Sequence, residues 1–149
     1  MRIALGADHA GFELKEAVRD QLAAAGHSVL DLGTDSTESV DYPDFAAAVG
    51  RTVVAGRADR GIIICGSGAG AAIAANKLNG IRCAQANDTY TAHQAVEHDD
   101  ANMLALAARV IGPAVAFELV TSFVRAEFIP EDRYLRRLGK VQALERERS

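Results

Sequence analysis

Apolar residues in this chain fall in short runs, and between the runs lie longer stretches in which they recur every three or four positions. Arg2 to Ala7 is the first run and ends at Gly6-Ala7-Asp8-His9; from Gly11 to Ala25, Phe12, Leu14, Val18 and Leu22 then recur at helical spacing. Gly26 closes that helix and Ser28 to Leu32 gives a second strand. The run from Gly33 to Pro43, GTDSTESVDYP, is rich in turn formers and acids and predicts a surface loop. Pro43 suits the first turn of a helix that carries Phe45, Val49, Val53 and Val54 toward the core and stops at Gly56. Gly61 to Cys65 is the third strand, and its three consecutive isoleucines predict burial on both faces, the pattern of a parallel strand covered by helices. A helix from about Ala69 to Leu78 follows, then a fourth strand from Ile81 to Ala86 and a helix from Tyr90 to about His98 capped by Asp88 or Thr89. Met103 to Leu106 is the fifth strand, and Gly112-Pro113 opens a long helix through Phe117, Leu119, Val120, Phe123 and Val124. Strand and helix thus alternate five times, which predicts an α/β fold with a doubly wound parallel sheet. Ligands of such sheets sit at the carboxyl ends of the strands, near the point where strand order reverses.

Beyond Pro130 the pattern changes, because Arg133, Arg136, Arg137, Lys140, Arg146 and Arg148 are interleaved with acids and the apolar residues thin to Leu135, Leu138, Val141 and Leu144. Their spacing predicts a helix over about 131–147 with a narrow apolar stripe, outside the five-unit core. Such a stripe suits a second subunit as well as its own chain, so a homodimer is expected. A length of 149 residues without internal repeats fits one domain, 1–149. The formal charge of -4 argues against a nucleic-acid surface and leaves small molecules or proteins as partners. No apolar stretch approaches the roughly 18 residues needed to span a bilayer, so no membrane partner is expected and a cytoplasmic location is. Cys65 and Cys83 both lie in apolar, strand-like runs and are expected as reduced thiols; no close Cys or His pair has zinc-site spacing.

Candidate chemistry concentrates at Ile62 to Gly70, IIICGSGAG, where the buried run stops at a cysteine. Gly66, Gly68 and Gly70 permit a sharp turn that gathers backbone N–H groups, and the helix that follows adds partial positive charge, so the loop suits an anion and a thiolate at Cys65. The carboxyl ends of strands one, three and four would gather Asp8 and His9, Cys65 with its loop, and Asn87-Asp88. Each residue has a plainer reading. Cys65 reads equally as a small buried hydrophobe, Asp8 or His9 as a helix cap, His98 as a solvated histidine beside Asp99 and Asp100, and Arg133 with Arg137 as a charged face. The loop lacks the Lys-Ser/Thr ending of a Walker A motif, and G-S-G-A-G is one residue short of the dinucleotide fingerprint and follows the third strand, which disfavours a nicotinamide dehydrogenase. A thiol base facing backbone donors suits removal of a proton next to a carbonyl, with the enediolate oxygen held by N–H groups. Nucleophilic thiol chemistry, and an anion sensor in which Cys65 is inert, remain open.

GADHAGF, DYPDFA, ICGSGAGAAIAANK, GIRCA, HDDAN, ARVIG and RYLRR, in this order over nearly the whole chain, resemble the ribose-5-phosphate isomerase B family, which includes lactose-pathway and allose phosphate isomerases. The resemblance implies a Rossmann-like three-layer sandwich with a five-stranded parallel sheet and an additional C-terminal helix. It implies an aldose–ketose isomerase without metal or other cofactor, acting on D-ribose 5-phosphate or on another sugar phosphate of four or six carbons. It also implies a homodimer or dimer of dimers with shared active sites. By position, Cys65 would be the base moving a proton between C1 and C2, with Ser67 hydrogen-bonded beside it and Gly66, Ser67, Gly68, Ala69 and Gly70 offering N–H groups to the enediolate. Asp8 and His9 would contact substrate, His98 would open the furanose ring as a general acid, and Arg109, Arg133 and Arg137 would hold the phosphate. Two departures stand out. The family often carries asparagine where Asp99 stands, and an ionised acid there can only accept hydrogen bonds. It also commonly has histidine in place of Tyr134. Some relatives use a carboxylate on the helix after the loop; that helix has no acid here, which leaves Cys65.

Overall fold

Consecutive residues of a strand face opposite sides of its sheet, so a strand apolar at every position must be covered twice. The computed structural model describes residues 1–148 and realises this arrangement. Its elements are β1 (Arg2–Ala7), α1 (Phe12–Ala24), β2 (Ser28–Asp31), α2 (Tyr42–Val54), β3 (Arg60–Cys65), α3 (Ala69–Ala75), β4 (Cys83–Gln85), α4 (Thr89–Asp99), β5 (Met103–Ala107), α5 (Pro113–Arg125) and α6 (Asp132–Glu147). The strands form one parallel sheet in the order β2-β1-β3-β5-β4, with Ala4 opposite Gly61 and Gly61 opposite Met103. Helices α1, α4 and α5 pack over Ile3, Leu5, Ile62, Ile64, Leu104 and Leu106, whereas α2 and α3 pack over Ala4, Ile63, Cys65, Met103 and Ala105. This is the expected three-layer sandwich with one further helix, α6. Ile62, Ile63 and Ile64 have no exposed surface, and each contributes about 1.5–3 kcal/mol through burial. Among the described residues no helix is long and apolar enough to cross a membrane.

One position expected to be buried and two boundaries differ from the pattern. Val54, expected to face the core, is 55% exposed, because it adjoins Val53 at about 100° around the helix and the buried side is set by Ala46, Val49, Gly50 and Val53. Helix α3 ends at Ala75 instead of Leu78, where tighter bonds from Lys77 N–H to Ala74 O and from Leu78 N–H to Ala75 O take over. Strand β4 is three residues long. Its outer edge is closed by a side chain: the Asn76 amide donates to the Cys83 carbonyl at 2.9 Å and accepts from the Cys83 N–H at 2.8 Å. Those are the two bonds a neighbouring strand would make.

Lys15, fully buried on α1, donates to both carboxylate oxygens of Asp31 at 2.8 and 2.7 Å and to Glu16 at 2.8 Å. Burial works against the Asp31 carboxylate, but the bonds from Lys15 and from the Gly33 N–H outweigh it and hold the carboxyl below the ordinary range. The same Asp31 steadies the chain as it leaves β2. There Gly33 O accepts from Ala7 N–H and Thr34 N–H donates to Ala7 O, both at 2.8 Å, which straps the start of the polar loop beside the end of β1.

Candidate active site

Strand β3 ends at Cys65, 4% exposed, and the chain turns into α3 through Gly68, whose φ of 77° lies in the left-handed region that suits glycine. The Gly68 N–H donates to Cys65 Sγ at 3.2 Å, a bond that an anionic sulfur accepts more strongly than a neutral one. Ser67, expected beside the sulfur, is exposed, and its hydroxyl oxygen accepts from the Ala69 N–H at 3.2 Å. The Gly68 amide takes the place assigned to that hydroxyl, because the left-handed turn carries the serine outward. Two side chains close over the loop. A Cβ on Gly70 would lie 2.7 Å from Cζ of Tyr42, and one on Gly66 would lie 3.4 Å from Nη1 of Arg109. Arg109 arrives there because β5 runs beside β3, with Ala108 N–H on Cys65 O and Arg109 N–H on Gly66 O, both at 2.9 Å.

Asp8 follows β1 and is buried. Its Oδ1 accepts from the N–H groups of Ala10 and Gly11 at 3.0 and 3.1 Å, and its own N–H donates to Ile64 O at 3.2 Å. The carboxylate thus ties the turn that precedes α1, one of the two roles open to it from sequence. His9 Nδ1 accepts from the Val40 N–H at 3.1 Å, so the neutral ring carries its proton on Nε2 and offers that nitrogen as a donor. Asn87-Asp88 does not join this group, because the sheet order places β5 between β3 and β4. Both residues are exposed, and the Asp88 carboxylate accepts from Thr91 N–H at 2.7 Å and from its hydroxyl at 2.8 Å. Those bonds hold Asp88 below the usual carboxylate range, and it is a helix cap. The strand ends that meet are one, three and five, and β4 reaches the loop through the Gln85 side chain.

Helix α4 runs opposite to the strands, and its 11 residues carry the chain back about 16 Å, from the carboxyl edge of the sheet to the amino edge. His98 and Asp99 lie there. Nearby, the Asn102 carbonyl accepts from the Gly61 N–H at 2.9 Å, and Gly61 precedes Cys65 by about 13 Å of strand. His98 Nδ1 pairs with Gln94 Nε2 at 2.9 Å, and the ring stacks on Tyr134 with centroids 4.1 Å apart and planes 15° from parallel. Tyr134 is buried, and the Arg133 guanidinium sits 4.6 Å from its ring centroid while Arg133 Nε donates to Glu131 at 3.1 Å. Asp99 and Arg137 line a groove of about 840 Å³ in which Leu138, Val141 and Leu144 of α6 face Ile81, Cys83 and Ala84. The Cys83 thiol is pushed up to about 12, first by burial and then by the neighbouring Cys65.

One chain therefore divides the expected set. Cys65, residues 66–70, Asp8, His9 and Arg109 stand together at the carboxyl edge; His98, Asp99, Arg133 and Arg137 stand together at the amino edge. Sequence reasoning gave no role to Tyr42, which covers Gly70, or to Gln85, whose Nε2 donates to the Ser67 carbonyl at 2.5 Å. Tyr42 lies inside the DYPDFA motif, so the motif itself carried a signal; Gln85 carried none.

A family model described as Ribose/Galactose Isomerase matches residues 3–141. The chain is 39% identical over 148 residues to ribose-5-phosphate isomerase B of Escherichia coli, covering 99% of each protein. It is 44% identical over 129 residues to a D-erythrulose-4-phosphate isomerase of Pectobacterium atrosepticum, covering 86% of this chain and 85% of the other. The solved structure of Clostridium thermocellum ribose-5-phosphate isomerase B superposes with a TM-score of 0.98 at 46% identity over 100% of both chains. Agreement with these enzymes over nearly the whole chain, in sequence and in fold, establishes that the chain is an isomerase of the ribose/galactose isomerase family.

Proposed function

We propose that this enzyme interconverts D-ribose 5-phosphate and D-ribulose 5-phosphate through an enediolate, with Cys65 as the base. The thiolate removes the proton from C2 of the open-chain aldose. The C–H electron pair becomes the C1=C2 double bond, and charge collects on the carbonyl oxygen at C1. Backbone N–H groups of residues 66–70 stabilise that charge. The thiol then returns the proton to C1, and the proton on the C2 hydroxyl passes to the C1 oxygen, which leaves a ketone at C2. Asp8 and His9 hold the sugar hydroxyls, His98 opens the furanose ring as a general acid, and Arg109, Arg133 and Arg137 hold the phosphate. The observation that carries this reading is the Gly68 N–H on Cys65 Sγ within a loop walled by Tyr42 and Arg109. The likeness to a D-erythrulose-4-phosphate isomerase favours a second reading, in which the same steps act on a four-carbon phosphate.

The proposed site needs two chains. His98, Arg133 and Arg137 stand a strand's length from Cys65, and Leu135, Val141 and Leu144 of α6 are 47%, 47% and 61% exposed. A second copy that lays its α4–α6 end over the loop of the first would complete the site, and two-fold symmetry would complete two. The test begins with Cys65→Ala, expected to abolish turnover and solvent-proton exchange at C2 while sugar phosphate still binds. Full activity in that variant would exclude the base. Subunit exchange between inactive Cys65→Ala and His98→Asn proteins should then restore about a quarter of wild-type activity, since half the dimers are hybrids with one intact site each. No recovery after exchange would place the whole site within one chain. Ribose and erythrulose phosphates assayed in parallel separate the two substrates.

A further inference from the structure

We infer that Gln85 is a positioning residue for Cys65, acting through one peptide plane; this rests on the reading of Cys65 as the base. A trans peptide unit carries its C=O and its N–H on opposite sides. In the Ser67–Gly68 unit both ends are engaged. The Ser67 carbonyl accepts from Gln85 Nε2 at 2.5 Å, and the Gly68 N–H donates to Cys65 Sγ at 3.2 Å. Holding the first aims the second.

The plane needs holding because Gly68 carries no side chain to resist rotation, and turns with glycine at this position interconvert by flipping the peptide before it. Flipped, the unit would turn the carbonyl lone pairs toward the sulfur and remove the donor from it. Gln85 is the last residue of β4, a strand that does not pair with β3, so its side chain reaches the loop from across β5. The absent Cβ makes room for that approach: one on residue 68 would lie 3.3 Å from both Cγ and Nε2 of Gln85. The glycine therefore permits the loop's shape and admits the group that fixes it.

Two variants of the full-length protein test this. Gln85→Met keeps the length of the side chain and removes the donor. Gln85→Glu sets a carboxylate against the Ser67 carbonyl and offers an acceptor to a flipped Gly68 N–H. Alkylation by iodoacetamide, followed by the mass of each cysteine peptide across pH 6 to 9, reads the thiolate directly, because Cys83, pushed up to about 12, stays protonated over that range. The expected result is about tenfold slower alkylation of Cys65 at neutral pH in Gln85→Met, a larger loss in Gln85→Glu, and a matching fall in kcat with KM within about twofold. Wild-type alkylation rates in both variants, or a loss of kcat without slower alkylation, would overturn the proposal. Turnover that survives in Cys65→Ala would instead remove the base, and the alkylation rates would still decide whether Gln85 tunes the sulfur.

Discussion

The two edges of the sheet divide the expected site between them and are built from different materials. At the carboxyl edge the groups are fixed by backbone: amide N–H groups reach Cys65 Sγ, Asp8 Oδ1 and His9 Nδ1, and glycines lie where the chain passes against Ile64, Tyr42, Arg109 and Gln85. At the amino edge they are fixed by side chains, through the His98–Tyr134 stack, the Gln94 amide and a helix whose apolar stripe is largely uncovered. A backbone scaffold cannot shift without deforming the sheet, so proton transfer suits the first edge. A side-chain scaffold on an outer helix adapts to whatever covers it, which suits the second edge to recognition across an interface.

Three substitutions press on that difference. Gly11→Ala should act most strongly, because the added Cβ would stand 2.3 Å from Ile64 O, a backbone atom of the central strand. A cost of about 3 kcal/mol or more is expected in urea unfolding, and a loss under about 1 kcal/mol would show that this edge yields. Asp31→Ala should cost about 2 kcal/mol by stranding the buried Lys15, less than the full value for a broken buried pair because Asp31 is 25% exposed and Glu16 remains. The folded state holds the Asp31 carboxyl below its ordinary value of about 3.9, so its contribution is complete above about pH 4 and disappears as the pH falls through the folded-state value. Wild type and variant should therefore converge in stability as the pH falls below that value; a gap that stays constant would mean the pair does not titrate. Tyr134→Ala should cost only about 1 kcal/mol globally, because α6 can detach without opening the sheet. Hydrogen exchange should quicken in α6 and stay unchanged in β3 and β5, and an equal rise in all three would erase the distinction between the edges.

The carboxyl edge was legible in the sequence because its determinants are local. A continuous apolar run marks a central strand, and glycines after a cysteine mark the turn. The amino edge was not, since the direction of α4 moves His98 a helix length away from residues that a motif reading groups with it. The sequence offered Asp88 both as a helix cap and, with Asn87, at the strand ends; the strand order, with β5 inserted between β3 and β4, leaves it the cap and sets Arg109 beside the cysteine loop. Ser67 shows the finer limit: one left-handed residue decides whether a hydroxyl or the next amide meets the sulfur, and no composition rule reports that choice. Tyr42 and Gln85 act through contacts with residues far along the chain, which periodicity does not encode.

The amide of Asn76 has a consequence for assembly. It occupies the outward donor and acceptor of Cys83, so a foreign strand that paired with this margin would have to displace both bonds. Extension of the pleated layer on that side is thereby disfavoured, and a contact between copies of this chain at that margin would fall to helical surfaces.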